Sequence, residues 1–167
     1  MFDLSKFDNS FYNPGNIFIK SLWYLVSILF FESKIPYPNM IKIIMLKLFR
    51  CKIGRNVLIK PNVKIKYPWQ LTIGDNSWIG ENVWIDNVSE ITIKSNVCIS
   101  QGVMFESGNH NFKKQTFDLM LQPIVVEENV WLGCRCTVLP GTIVKSGSIY
   151  FGGRNINKNT KPDYNLF

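Results

Sequence analysis

A chain of 167 residues with 46% hydrophobic and 19% charged residues is composed for one domain with a sizeable core and is too apolar to be disordered. Its net charge of +7 favours anionic partners such as phosphorylated cofactors, acidic glycans or an anionic membrane face; the lysines are scattered, without a helix–turn–helix, zinc-finger or RNA-binding signature, so nucleic acid is set aside. The four cysteines (Cys51, Cys98, Cys134, Cys136) make no CxxC pair and a single histidine cannot complete a Cys/His cluster, which excludes a zinc site and reads as free thiols in a reducing cytoplasm.

Residues 1–16 are aromatic and polar and end in the turn signal Asn13-Pro14-Gly15. No cleavable signal peptide is read there. Ile17 to Phe31 is almost wholly apolar. It is shorter than the ~20 residues a spanning helix needs, and Lys20 interrupts it. The pattern predicts a helix over Ile17–Glu32 that packs on the core or a partner, or docks on a membrane surface. Pro36 and Pro38 then break it. The stretch MIKIIMLKLFR, residues 40–50, predicts a second short helix, so the N-terminal helical segment covers residues 1–52.

From Ile53 a period of six takes over. Aliphatic residues fall at Ile53, Ile59 and Ile65, then at Ile73, Ile79 and Ile85, then at Ile93, Ile99 and Phe105. After a break they resume at Val126, Leu132, Val138, Val144, Tyr150 and Ile156. Four positions later comes a small or β-branched residue, as at Val57, Val63, Ser77, Val83, Val97, Val103, Val130 and Cys136. Asn recurs three positions on (Asn56, Asn62, Asn76, Asn82, Asn96, Asn129), and Gly often one position on (Gly54, Gly74, Gly80, Gly133). Short strands carry the aliphatic residue inward, with Asn and Gly at corners where positive φ costs little. Such units cannot bury a face alone, so they stack. Three units make one coil of a triangular prism, a hexapeptide β-helix over residues 53–161, with a short tail at 162–167. The insertions Leu71-Thr72 and Ile91-Thr92 are expected to bulge one corner of two successive coils in register. Trp78 and Trp84, each just before an inward aliphatic, should point outward, to fill a subunit interface or stack on a sugar ring.

The repeat stops over residues 106–125, and the only histidine, His110, lies in that break, within ESGNHNFKKQ. It follows Ser107-Gly108-Asn109 in a polar loop, which favours a functional over a packed histidine. A β-helix face is flat, so an excursion is needed to overhang a neighbour and enclose a site.

With IGDNSWIGENVWIDN, ITIKSNVCISQGVMFESGNHNF and PIVVEENVWLGCRCTVLPGT, the chain resembles the left-handed β-helix acetyltransferases. The resemblance is to the colanic-acid-biosynthesis type in particular, which belongs with the galactoside and maltose O-acetyltransferases. It implies a mainly β fold: a left-handed parallel β-helix of hexapeptide repeats with N-terminal helices and one excursion loop. It further implies a homotrimer with active sites between adjacent subunits, acetyl-CoA along the groove as acetyl donor, no metal, and a sugar hydroxyl as acceptor. His110 is then the general base. A hydroxyl is a poor nucleophile at neutral pH, and a histidine with an ordinary pKa near ~6.5 can take its proton.

The resemblance carries cofactor contact to Trp131, Gly133, Cys134, Gly152, Asn157 and Lys158, with Lys158 suited to a CoA phosphate. Asp86 and Asn87, polar residues ending a hexapeptide beside the expected bulge, are candidates for sugar hydroxyls, together with Asn111. There are departures. Asn111 stands where the family has an acidic residue after the histidine, which leaves ring orientation to a backbone carbonyl. Lys145 replaces a glycine, YFGGR replaces VGAGS, and KPDYNLF ends the chain before a GNPA-like tail that caps the prism. These departures bear on CoA affinity and motivate a competing reading, a non-catalytic trimeric scaffold. A third reading is an N-acetyltransferase acting on an amino-sugar nucleotide. A prism-shaped carbonic anhydrase needs three histidines and is excluded. The basic charge and the apolar segment 17–31 suit work on lipid-linked glycans of surface polysaccharide synthesis, in the cytoplasm at the inner membrane face, with that segment as a peripheral membrane contact.

Overall fold

Every inward position of the six-residue repeat from Ile59 to Ile156 is buried, and only Ile53, in the first coil, is partly open. The computed structural model, which describes residues 1–167, builds five coils on these positions. The first is β1 (Lys52–Ile53), β2 (Leu58–Ile59) and β3 (Lys64–Ile65). The second is β4 (Leu71–Ile73), β5 (Trp78–Ile79) and β6 (Trp84–Asp86), and the third β7 (Ile91–Ile93), β8 (Cys98–Ile99) and β9 (Met104–Glu106). An excursion follows, a hairpin of β10 (Gly108–His110) and β11 (Leu119–Leu121). The fourth coil is β12 (Ile124–Val126), β13 (Trp131–Leu132) and β14 (Thr137–Val138), and the fifth β15 (Ile143–Val144), β16 (Ser148–Tyr150) and β17 (Asn155–Ile156).

The first strands of the coils form face I, the second face II and the third face III, all paired in parallel. Register is strict: Ile53 pairs with Ile73 and Ile73 with Ile93, and Ile65 pairs with Ile85 and Ile85 with Phe105. The stacked side chains, with Trp23, Phe31, Leu46 and Cys51 of the N-terminal segment, make one core of 28 buried residues. Each fully buried Ile, Leu or Val there stabilises by ~1.5–3 kcal/mol.

The corners divide the labour between Asn and Gly. All six expected Asn residues take left-handed backbone, with φ between 54° and 59°. The first two coils link theirs side chain to side chain, Asn56 Nδ2 to Asn76 Oδ1 at 3.1 Å and Asn62 Nδ2 to Asn82 Oδ1 at 2.6 Å. The glycine one position after the inward aliphatic answers a different need from the one expected. Gly80 is not in the left-handed region; a Cβ there would lie 2.7 Å from the main-chain carbon of Ser100 in the next coil. These glycines let coils approach. The insertions stack in register as expected, Leu71 opposite Ile91. Leu71 and Ile91 are buried and, with Ile124, add a second inward column at the III–I corner.

The first coil has no coil before it, and the helices supply what is missing. The segment read as one helix over Ile17–Glu32 is α1 (Ile17–Val26) followed by a π-helical turn, Ser27–Phe31; the second helix is α2 (Asn39–Leu48). Asn39 stands in for an absent strand: its Oδ1 accepts from Ile59 N–H at 2.8 Å and its Nδ2 donates to Val57 O at 2.7 Å. The Lys42 ammonium, buried, donates to the carbonyls of Ile59 and Lys60, and the Trp23 indole to Ile65 O at 2.7 Å. Unpaired backbone groups there would be costly. At the other end, β18 (Tyr164–Asn165) folds back antiparallel on β16 and closes the edge of face II. Only one stripe of α1 packs inward. Phe18, Leu22, Leu25 and Leu29 are exposed, as are Met40 and Leu48 of α2. No helix is long and apolar enough to cross a membrane.

Candidate active site

The excursion leaves face III after Glu106 and returns to face I at Ile124, so the hairpin overhangs the III–I corner. Its root is fixed by Ser107, fully buried, whose hydroxyl accepts from Ser89 N–H at 2.8 Å and lies 3.1 Å from Asp86 O. Gly108 packs against Val88: a Cβ would sit 2.4 Å from Val88 Cγ2 and would force that side chain to shift. The strands pair antiparallel, with His110 opposite Leu119.

His110 ends β10, and its ring is half-buried. Nδ1 lies 3.0 Å from the carbonyl oxygen of Phe117. A carbonyl only accepts, so Nδ1 carries a proton, and in the neutral ring the lone pair is on Nε2. The ring stacks on Phe117 at 4.5 Å and 2°, and meets Phe7 edge-on at 5.5 Å. Asn111 makes no hydrogen bond to the ring. Its Oδ1 accepts from Lys113 N–H at 3.1 Å and its own N–H donates to Asp118 O, so it builds the hairpin tip. The Lys114 ammonium and Thr116 hydroxyl hold the Asp118 carboxyl below the usual range.

The other candidates fall on two corners. Asn157 and Lys158, on the III–I corner of the fifth coil, share a cleft of about 510 Å³ with Asn109 and Gln122 of the excursion. Gly133, Cys134 and Gly152 lie together on the II–III corner, with the Trp131 indole exposed beside them on face II and donating to Ser100 Oγ at 2.9 Å. Gly152 is needed by the frame whatever it binds: a Cβ there would lie 2.7 Å from Cys134 O. One chain therefore does not gather the six expected cofactor residues into one site.

Asp86 faces a second cleft, about 370 Å³, between face III and α1, with Trp84, Tyr24 and Lys64. Lys66 pairs with it at 2.8 Å. Asn87 is a correction. It is fully buried, its Oδ1 accepting from Tyr67 N–H and its Nδ2 donating to Tyr67 O, so its amide joins two coils and presents no surface to a sugar. Trp78 and Trp84 point outward as expected. Sequence reasoning missed Phe7 and Phe117. The aromatic richness of residues 1–16 was the available signal, but nothing in the sequence linked it to a loop a hundred residues away.

The chain matches no family model. It is 37% identical over 150 residues, 89% of this chain and 82% of the relative, to a protein of Escherichia coli named as the colanic acid biosynthesis acetyltransferase WcaF. A maltose O-acetyltransferase of Clostridium difficile shares the fold, with a TM-score of 0.78 at 17% identity over 89% of this chain and 82% of the other. So does a hexapeptide-repeat acetyltransferase of Vibrio cholerae solved with acetyl-coenzyme A, with a TM-score of 0.77 at 20% identity over 87% and 79%. Stacked six-residue coils, an excursion bearing the sole histidine, and identity across most of both chains converge: the chain belongs to the hexapeptide-repeat, left-handed β-helix acetyltransferases, the family of WcaF.

Proposed function

We propose that the protein transfers acetyl from acetyl-CoA to a sugar hydroxyl in the synthesis of a surface polysaccharide, with His110 as general base. The observation that carries this reading is the bond between His110 Nδ1 and Phe117 O, which leaves the Nε2 lone pair free on an element that overhangs the prism. A bonded partner on the far nitrogen fixes the tautomer a general base requires. Asn111 cannot supply it, and the carbonyl does.

The chain's residues fit the donor. Lys158, beside the carboxamides of Asn157, Asn109 and Gln122, offers a cation and amide groups to phosphates and amides, and Trp131 an apolar plane. Acetyl-CoA supplies an activated thioester carbonyl. His110 takes the acceptor's proton at Nε2 as the hydroxyl oxygen attacks, and returns it to the departing sulfur. The two half-sites, His110 with Lys158 on one corner and Trp131 with Cys134 on another, meet when the corners of adjacent copies face each other. This favours a homotrimer, as do the exposed Trp78, Trp84 and Trp131. The acceptor class is a lipid-linked glycan at the cytoplasmic face of a membrane. Besides the buried Lys42, residues 17–52 hold five basic residues against one acid, Glu32, beside the exposed apolar side chains of α1 and α2.

The test is release of free CoA in the presence of candidate glycans. Release by the native chain but not by His110→Ala supports O-transfer. Reaction confined to amino sugars points to the N-acetyltransferase.

A further inference from the structure

We infer that the N-terminal strap, residues 2–16, positions the base, with Phe2 and Phe7 clamping the ring pair of Phe117 and His110. Four rings run in a row: Phe2 to Phe117 at 4.5 Å, Phe117 to His110 at 4.5 Å, and His110 to Phe7 at 5.5 Å. The excursion supplies the inner two and the strap the outer two. A short 3-10 turn, Leu4–Lys6, capped by Asp3, joins Phe2 to Phe7 and sets their spacing.

The hairpin tip explains why the clamp positions rather than merely covers. Residues 111–118 bond mostly to one another: Asn111 N–H to Asp118 O, Lys114 N–H to Asn111 O, Phe117 N–H to Lys114 O. The one hydrogen bond reaching this tip from outside the excursion is from Asp3 N–H to Gln115 O, at 2.8 Å. Phe117 also sits at φ 49°, a left-handed backbone costly for a side chain of its size, which persists only where surroundings over-determine it. The carbonyl that sets the His110 tautomer belongs to this residue. Phe2 on the Phe117 ring and Asp3 on the tip are what hold it from outside. The strap is itself anchored: the Tyr12 hydroxyl donates to Val88 O at 2.8 Å and the Trp69 indole to Pro14 O at 2.7 Å. Val88 is also the residue that Gly108 packs against at the hairpin root, so strap and hairpin share a footing.

The kinetic part of this inference rests on the acetyl-transfer reading; the contact does not. His110 is the only histidine, so its ring resonances need no assignment. NMR of the full chain should give one tautomer, protonated at Nδ1, with ring protons coupled to Phe7 and Phe117. Phe2→Ala with Phe7→Ala should shift those resonances and mix the tautomers. It should lower kcat about ten- to a hundredfold, as misplacement of a base does, with acetyl-CoA affinity within about twofold. Phe2→Tyr with Phe7→Tyr should restore both. Ring resonances unmoved by the alanine pair overturn the clamp. Resonances that move while kcat and KM stay put overturn the positioning role. If the native chain moves acetyl to no acceptor, water included, while the resonances respond, the acetyl-transfer reading fails and the clamp stands.

Discussion

The carbonyl of Phe117 lies 3.0 Å from His110 Nδ1, and the two rings stack within 2° of parallel. One residue thus fixes the histidine twice, through main chain and side chain. His110→Ala should lower kcat by about 10²–10⁴ with little change in acetyl-CoA affinity. Asn111→Asp, which restores the family's acidic residue, should change kcat by about twofold or less, because that side chain caps the tip and makes no hydrogen bond to the ring. Steady-state kinetics on both variants check the pair.

Capping of the first coil carries its own prediction. Asn39→Ala leaves Ile59 N–H and Val57 O without partners and should cost ~1–3 kcal/mol in urea unfolding. Burial holds the Lys42 ammonium below the ordinary lysine value of 10.5. The folded chain therefore binds that proton more weakly than the unfolded one. Stability should rise with pH from the folded pKa up to the ordinary value, and be insensitive to this group below it. Against Lys42→Met, the native chain should gain stability across that alkaline window.

The thiols differ by burial. Cys51 is buried and its pKa is pushed up to about 12, Cys136 is buried and raised, and Cys134 is exposed. Alkylation of the folded chain should label Cys134 first, and Cys51 and Cys136 only on unfolding. Mass spectrometry of a time course reads the order. Protection of Cys134 by acetyl-CoA is expected if it lies on the cofactor path.

The apolar faces of α1 and α2 predict flotation with vesicles containing anionic phosphatidylglycerol, weakened by salt, and little with neutral phosphatidylcholine. Leu25→Glu with Leu29→Glu should abolish flotation while leaving the urea midpoint unchanged, since both side chains are exposed.

The prism was legible because its physics repeats. An inward aliphatic every six residues, such as Ile79 then Ile85, and an Asn three positions on each write the same constraint into the sequence many times over. What repeats once does not announce itself. Asn87 reads as a polar group available to ligand, yet it is buried and its amide bonds to the main chain of Tyr67 in the coil before it. Gly80 reads as a turn residue, and its need is coil spacing. His110 stood out because it broke the rhythm, but its partner is a main-chain carbonyl, a group every residue carries. The strap contacts of Phe2 and Phe7 are long-range and aperiodic, and only the folded chain brings them to the hairpin.

Calorimetric titration of the full chain with acetyl-CoA, beside Lys158→Ala, is the decisive measurement for acetyl transfer and needs no acceptor. An acetyltransferase of this build should bind acetyl-CoA at micromolar concentration, and the variant more weakly. No heat of binding up to millimolar acetyl-CoA would contradict that reading and leave a β-helix scaffold that has kept the prism without its chemistry.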